Sequence, residues 1–115
     1  MTDLYVPESE TPEEEPVSSP QFYEVFNPDH SVGIACDENG VIVGLHIDEA
    51  VRDSTESWLA AEILRVARLA YCKSQVGLRA ARAANGVLPH VLDAMGLPTK
   101  AQYIAMEVAE FGESY

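Results

Sequence analysis

The segment His30–Ile47, with the sequence HSVGIACDENGVIVGLHI, constrains the fold more than any other part of the chain. Apolar residues alternate with other residues on both sides of Asn39-Gly40, which is typical of strands with one buried face. Asn-Gly tolerates the positive φ angles that tight hairpin turns require. The segment therefore predicts a β-hairpin in which Cys36 lies with the apolar residues and His46 points to the opposite side.

A further strand is expected before the hairpin. The stretch QFYEVFN is rich in aromatic and β-branched residues, which favour strands. Asn27-Pro28-Asp29 directly after it is a turn signal. Three antiparallel strands should therefore occupy about residues 21–48.

A long helix is predicted over about residues 54–85, because Ala, Leu and Arg are abundant there and are good helix formers. Asp53 and Glu56 have the spacing of a capping box, and Asn85-Gly86 is a stop signal. A broad apolar face should cover the sheet, and its members are Leu59, Ile63, Val66, Ala67, Ala70, Tyr71 and Leu78. A second, narrower stripe holds Trp58, Leu69, Cys72 and Val76.

The second stripe needs its own cover, because one layer of sheet cannot cover both sides of a helix. The C-terminal helices, a second subunit or a client protein are the three alternatives. A third sector of the helix carries Arg65, Arg68, Arg79 and Arg82. It is either a solvated face whose cations complement the helix dipole, or a docking surface for an acidic partner or for the chain's own acidic tail. We predict that the second stripe and these arginines together form a partner-binding surface.

Two shorter helices should complete the chain, over about residues 88–95 and 99–111, with Gly96 and Gly112 as their stops. Ile104, Val108 and Phe111 would form the buried stripe of the last helix. The predicted fold is therefore α+β, with a three-stranded antiparallel sheet, one long helix and two short C-terminal helices.

Charge is spread unevenly along the 115 residues, whose formal net charge is −12. Residues 1–20 combine acidic residues with prolines and contain no Lys or Arg. Such a segment cannot bury enough apolar surface to offset its ordering entropy, so we expect a disordered acidic tail before a single domain over residues 21–115. The acidity also opposes binding to nucleic acid and to anionic lipid.

The sequence lacks motifs that are typical of catalytic, metal-binding or phosphate-binding sites. His30, His46 and His90 do not have metal-ligand spacing, and two cysteines do not make a disulfide framework. No glycine-rich loop opens a helix, and no nucleophile motif is present. We therefore expect no enzymatic activity and no cofactor. The chain has no run of about 18 apolar residues and no signal-peptide pattern, which favours a cytoplasmic protein without membrane insertion.

Over its folded part, the sequence resembles the mycobacterial type VII (ESX) secretion-associated proteins of the EspD and EspH kind, with matching motifs in the same order. The strand pattern F/Y-x-V-x-N-P is matched by Tyr23, Val25, Asn27 and Pro28, and a hairpin with a V-x-V strand by Val32, Ile34 and Gly40. The helix pattern is matched by Leu59, Ala60, Glu62, Ile63, Ala67, Leu69, Ala70 and Lys73. The ending is matched by Leu97, Pro98, Thr99, Glu107, Phe111 and Tyr115. The strands and long helix are also similar in layout to the YbaB/EbfC nucleoid proteins.

The resemblance implies a non-enzymatic accessory of type VII secretion. Such a protein would be a cytosolic, chaperone-like protein that binds and stabilises Esp substrates for export. A secreted substrate of the same system is an alternative, and Tyr103 with Glu107 has the Tyr-x-x-x-acid spacing of a type VII export signal. That spacing is equally an ordinary helical i,i+4 pair. The YbaB likeness implies dimers and DNA binding instead, although the acidic composition argues against DNA.

Overall fold

Residues 21–112 are described in the computed structural model of the chain, so the predicted acidic tail lies outside the described residues. Three strands come first, β1 (Phe22–Phe26), β2 (Val32–Asp37) and β3 (Ile42–Ile47). A 3-10 helix (Glu49–Asp53) precedes the helices α1 (Glu56–Ala84), α2 (Pro89–Ala94) and α3 (Lys100–Phe111). The strands form one antiparallel sheet in the order β1-β2-β3. The predicted α+β layout is confirmed.

The predicted hairpin turn joins β2 to β3. One carboxylate oxygen of Asp37 accepts hydrogen bonds from the backbone amides of Asn39 (2.8 Å) and Val41 (3.0 Å). Gly40 adopts a φ of 82°, a left-handed conformation that glycine adopts without steric cost. The hairpin is therefore confirmed, but only Gly40 of the Asn39-Gly40 pair has the positive φ on which the prediction rested.

A β-bulge interrupts the pairing of β3 with β2. Ala35 lies opposite Gly44, but Cys36 lies opposite Ile42, so Val43 is the extra residue. Directly opposite residues of an antiparallel pair share a face of the sheet. Ile42 therefore lies on the same face as Cys36.

α1 lies across β1 and β2 and forms the core with them. The strands contribute Val25, Val32, Ile34 and Cys36, and the helix contributes Val66, Leu69 and Ala70. Val51 of the 3-10 helix and Tyr103 of α3 complete the buried cluster. A two-layer core of this kind forms because the apolar face of each element needs an opposite layer.

The start of α1 differs from the prediction. Thr55 caps the helix, and its side chain accepts a 3.0 Å hydrogen bond from the amide of Trp58. Asp53 cannot be the cap because it is the last residue of the preceding 3-10 helix. At the other end, Asn85 is the C-cap and Gly86 has a φ of 95°, so the predicted stop is confirmed.

The buried face of α1 is rotated from the predicted one. Its buried residues are Glu62, Val66, Leu69, Ala70 and Ser74. Leu69 is fully buried, whereas Tyr71 is half exposed. Leu69 therefore has no place on an exposed binding surface, and Tyr71 does not belong to the buried face to which the prediction assigned it. Half-buried Cys72 and Val76 pack against the core, so the chain itself covers most of the second stripe.

α3 turns a different side toward α1 than the sequence predicts. Tyr103 is buried, whereas Ile104 is 46% exposed, so the prediction of Ile104 as a buried residue is wrong. A capping box between Thr99 and Gln102 starts the helix one residue after Thr99. This start and the contact with α1 place Tyr103 and Met106 inward, and Phe111 is half-buried against the core as expected.

A buried polar network joins the β1–β2 turn to α1. Asn27 is buried, and its Nδ2 donates to Oε2 of Glu62 (2.8 Å) and to Oγ of Ser31 (3.0 Å). Its Oδ1 accepts from the amide of Val32 at 3.0 Å. Arg65 forms an ion pair with Glu62 at 3.0 Å. The carboxylate of Glu62 is thus buried with partners on two sides, which a buried charge requires.

Candidate partner-binding surface

An apolar groove of about 570 Å³ lies along α1. Leu64, Ala67, Arg68, Tyr71, Cys72 and Gln75 of α1 line it. On one side it reaches the β2–β3 hairpin, and on the other side it reaches the α2–α3 region, through Cys36, Gly40, Ile42, Gly96, Pro98 and Met106. We call this feature the α1 groove.

Leu64 and Tyr71 are the two large exposed apolar residues that α1 contributes to the α1 groove. They are seven residues apart, so they lie on one side of the helix two turns from each other. Leu64 is 59% exposed and Tyr71 is 51% exposed. Large apolar side chains exposed in a contiguous patch mark interaction sites more often than single exposed residues do.

Gly40 fixes the distance between the hairpin and α1. A Cβ atom on this residue would lie 2.6 Å from Cε1 of Tyr71, closer than two carbon atoms can approach. The position therefore favours glycine for its positive φ, and a larger residue would also force the half-exposed ring of Tyr71 to move. The turn and the aromatic side chain together shape one end of the α1 groove.

Both cysteines line the α1 groove, and both are free thiols. Burial raises the pKa of the Cys36 thiol, and the nearby Asp37 carboxylate raises it further. Burial also raises the pKa of the Cys72 thiol. Since the thiolate is the nucleophile and the metal ligand, both cysteines favour the unreactive form at neutral pH. In the α1 groove, both cysteines therefore pack as small apolar side chains.

β3 adds apolar surface beside the α1 groove. Three residues of β3 lie on the face of the sheet that α1 covers over β1 and β2. They are Ile42, Leu45 and Ile47, which lie opposite Cys36, Ile34 and Val32. They are nevertheless between 40% and 56% exposed, because α1 packs over β1 and β2. Val43 is 51% exposed and lines a second depression with Phe22 and Ala35.

The predicted binding stripe is not brought together at the surface. Trp58 is 39% exposed, but it lies in the first turn of α1 and does not line the α1 groove. Leu69 belongs to the core, and Val76 is half-buried against it. Cys72 reaches the groove. The assignment of Trp58, Cys72 and Val76 to partner binding stays a prediction.

Two of the four predicted arginines are engaged within the chain. Arg65 pairs with Glu62, and its guanidinium lies 4.9 Å from the ring centroid of Phe111. Nη1 of Arg79 donates to Asp93 (2.8 Å) and to the carbonyl of Leu97 (2.7 Å).

The other two arginines of that sector are exposed. Arg68 lines the α1 groove, and Arg82 lies near the end of α1. Within residues 21–112, only Arg68 of the four thus combines exposure with a place at the apolar groove. Its role in binding a partner stays a prediction.

Tyr103 and Glu107 form the helical pair that their spacing predicts. The tyrosine hydroxyl lies 3.3 Å from Oε2 of Glu107, and Tyr103 is buried against the core. An export signal that must be read by a receptor would require Tyr103 to leave this position. The secretion-signal role of the pair stays a prediction.

Leu64 and Ile42 are central to the surface but were not predicted from the sequence. The signal that could have found Ile42 is the unbroken run Val41-Ile42-Val43, since a strand with only one buried face alternates. Leu64 carries no comparable signal, because its exposure depends on the width of the sheet relative to the helix.

Within the described range, 21–112, no group of three or more His, Cys, Asp or Glu side chains is arranged to hold a metal ion. No helix in this range combines the length and the apolar character needed to cross a membrane. Comparison with known proteins found no matching family model, no matching curated protein and no matching solved structure.

Proposed function

We propose that this protein is a non-enzymatic binding protein that holds an apolar segment of another protein in the α1 groove. The observation that carries the proposal is the exposure of Leu64 and Tyr71 in the lining of that groove. The groove follows α1 from Leu64 to Gln75, a length of roughly 16 Å at the helical rise. That length suits about three turns of an amphipathic helix, a common occupant of apolar grooves.

The partners that we propose are Esp-type substrates of a type VII secretion system. This part of the proposal rests on the resemblance of residues 23–115 to secretion-associated proteins of the EspD and EspH kind, whose motifs occur here in the same order. Within that shared pattern, Asn27 of the N-P turn is the buried anchor of the polar network. The protein would keep such a substrate stable in the cytosol before export.

Binding to DNA finds less support than binding to protein. Arg65 and Arg79 make ion pairs inside the chain, which lowers the charge that the arginine sector presents to phosphate. Non-specific DNA affinity depends on many simultaneous Lys and Arg contacts to phosphate. A chain of net charge −12 repels the DNA backbone over the rest of its surface.

Replacing Leu64 by Asp tests the proposal, with Leu88→Asp as the matched control. Leu88 is 57% exposed and Leu64 is 59% exposed, so the two changes remove similar apolar surface at different places. Tagged wild-type and variant proteins are recovered from the native host, and co-purifying secretion substrates are quantified by mass spectrometry. We expect Leu64→Asp to lower substrate recovery at least tenfold, and Leu88→Asp to leave it unchanged.

A melting-temperature measurement accompanies the recovery experiment. An equal recovery of secretion substrates by both variants and by the wild type would contradict the groove as the binding site. If no type VII substrate is enriched with the wild-type protein, the secretion assignment is wrong.

A further inference from the structure

The two edge strands of the sheet differ in how they are protected. β1 carries the charged residue Glu24, and Pro20 and Pro28 flank it in the sequence. Nζ of Lys73 donates a 2.9 Å hydrogen bond to the backbone carbonyl of Glu24, so one of the strand's acceptors is already occupied. Charges and prolines on an edge are the devices that prevent pairing with another strand.

β3 has neither of these protections. Residues 41–47 contain no proline and no Asp, Glu, Lys or Arg. Apolar side chains are exposed on both faces of the strand, with Ile42, Leu45 and Ile47 on one face and Val43 on the other. The outer edge of β3 pairs with no strand among residues 21–112. A strand of this kind offers backbone hydrogen bonds and pockets for alternate side chains together.

Acidic residues lie at both ends of β3. Asp37 and Glu38 precede it across the turn, and Asp48 and Glu49 follow it directly. No Lys or Arg occurs between residues 27 and 51, although Arg52 forms an exposed 3.7 Å ion pair with Glu49. The edge is therefore an apolar strip with negative charge at each end.

We propose that β3 binds an extended segment of another protein, which adds a fourth strand to the sheet. The segment has about six residues, to match the roughly 20 Å of β3. Its alternate positions are apolar, and Lys or Arg residues stand at both of its ends. This proposal concerns the outer edge of β3, which meets the α1 groove at Ile42, and it does not depend on the secretion assignment.

The end charges favour this partner over a second copy of the chain. Two β3 strands that paired antiparallel about a twofold axis would place the start of one strand beside the end of the other. Glu38 of one copy would then approach Asp48 and Glu49 of its partner at each end, and like charges at such positions are destabilising. A partner with basic ends meets attraction at the same two places.

Three synthetic peptides test the proposal by fluorescence anisotropy with the purified full chain. The first has a core of alternating Val and Thr with Lys at both ends. The second has the same core with Glu at both ends, and the third is the Lys peptide with alternate backbone amides methylated. We expect saturable binding of the Lys peptide, at least tenfold weaker binding of the Glu peptide, and loss of binding after methylation.

Leu45→Lys tests whether β3 is the binding edge, with Phe22→Lys on β1 as its matched control. These two residues are 56% and 58% exposed, so each change adds one charge at a similarly accessible edge position. We expect Leu45→Lys to weaken binding of the Lys peptide at least tenfold and Phe22→Lys to leave it within twofold. Circular dichroism verifies that both variants keep the fold.

Three outcomes would overturn the proposal. The first is equal affinity for the Lys and Glu peptides. The second is equal loss of binding in the two variants. The third is a stable dimer of the wild-type chain that Leu45→Lys dissociates, because β3 would then bind a second copy.

Discussion

Nδ2 of Asn27 donates a 2.8 Å hydrogen bond to Oε2 of Glu62, and this bond joins residues 35 positions apart in the sequence. It connects the turn after β1 to the first half of α1. Both residues are buried, with 2% and 7% of their surface exposed. A buried carboxylate costs several kcal/mol unless it is hydrogen-bonded, so the position of α1 on the sheet depends on this contact.

Asn27→Ala should therefore lower the free energy of unfolding by about 3 kcal/mol, because it leaves the buried Glu62 carboxylate with one partner fewer. Chemical denaturation at neutral pH measures the change. Asn39→Ala, the same substitution in the exposed hairpin turn, should cost less than about 0.5 kcal/mol. A similar cost for the two variants would show that the network contributes little to stability.

Gly77→Ala should destabilise the protein although alanine favours helices more than glycine does. A Cβ atom at this position would overlap the hydroxyl group and ring of Tyr23. Overpacking costs about 1–3 kcal/mol, which exceeds the gain in helix propensity of up to about 1 kcal/mol. Thermal unfolding measures the balance.

Gly44→Ala is the control for this overpacking argument, since its Cβ would lie 3.5 Å from Cβ of Ala35, an ordinary contact. In a Tyr23→Ala background, Gly77→Ala should become neutral or stabilising. Persistent destabilisation in that background would place the cause elsewhere than in the tyrosine contact.

Arg79→Met should loosen α2 and the loop after it. The salt bridge to Asp93 is exposed on the carboxylate side and contributes about 1 kcal/mol at most. The bond from the largely buried Arg79 to the carbonyl of Leu97 should contribute more, about 1.5–3 kcal/mol for a charged donor. Hydrogen exchange should accelerate in residues 89–97, whereas Arg82→Met at an exposed site should leave it unchanged. An unaltered rate of hydrogen exchange in Arg79→Met would show that Arg79 does not hold α2 and the following loop in place.

Lowering the pH should destabilise the β1–β2 turn, because the Asp29 carboxylate becomes protonated. Hydrogen bonds from the side chain and the amide of Ser31 lower the pKa of this carboxyl below its ordinary value of 3.8. A lowered pKa in the folded state adds stability that is complete above the unfolded value and is lost as the pH falls through the folded value. Asp29→Asn should thus be less stable than the wild type above about pH 5, and the difference should shrink toward about pH 2. Urea denaturation across this range measures it, and a pH-independent difference would contradict the linkage.

The elements of the fold follow from local sequence, whereas their faces do not. The hairpin, the stop at Asn85-Gly86 and the two short helices depend on turn and capping chemistry within a few residues, and the structure confirms them. The rotation of α1 about its axis was wrong, because Leu69 and Tyr71 were assigned to the opposite faces. A helix with apolar residues on several sides leaves this angle to long-range packing.

Glu62 shows why the position of the helix was missed. An acidic residue between apolar neighbours is typical of a solvent-exposed position. The burial of Glu62 is favourable because Arg65 and Asn27, which the chain reversal after β1 brings near, both bond its carboxylate. The candidate surface was missed for a related reason. The exposure of Leu45 and Leu64 depends on α1 covering two strands of the sheet and leaving the third uncovered, which no local pattern encodes.

The order β1-β2-β3 has a consequence for how fast the chain folds. Each strand pairs with its neighbour in sequence through a short connection, so the sheet closes only small loops while it forms. The contacts of α1 with β1 and β2 join residues far apart in the sequence, but the pairing of neighbouring strands and the turns of each helix are local, and local contacts shorten the search for the transition state. We therefore expect a folding time in the millisecond range or below, so that the apolar edge of β3 is exposed to other unfolded chains only briefly during synthesis.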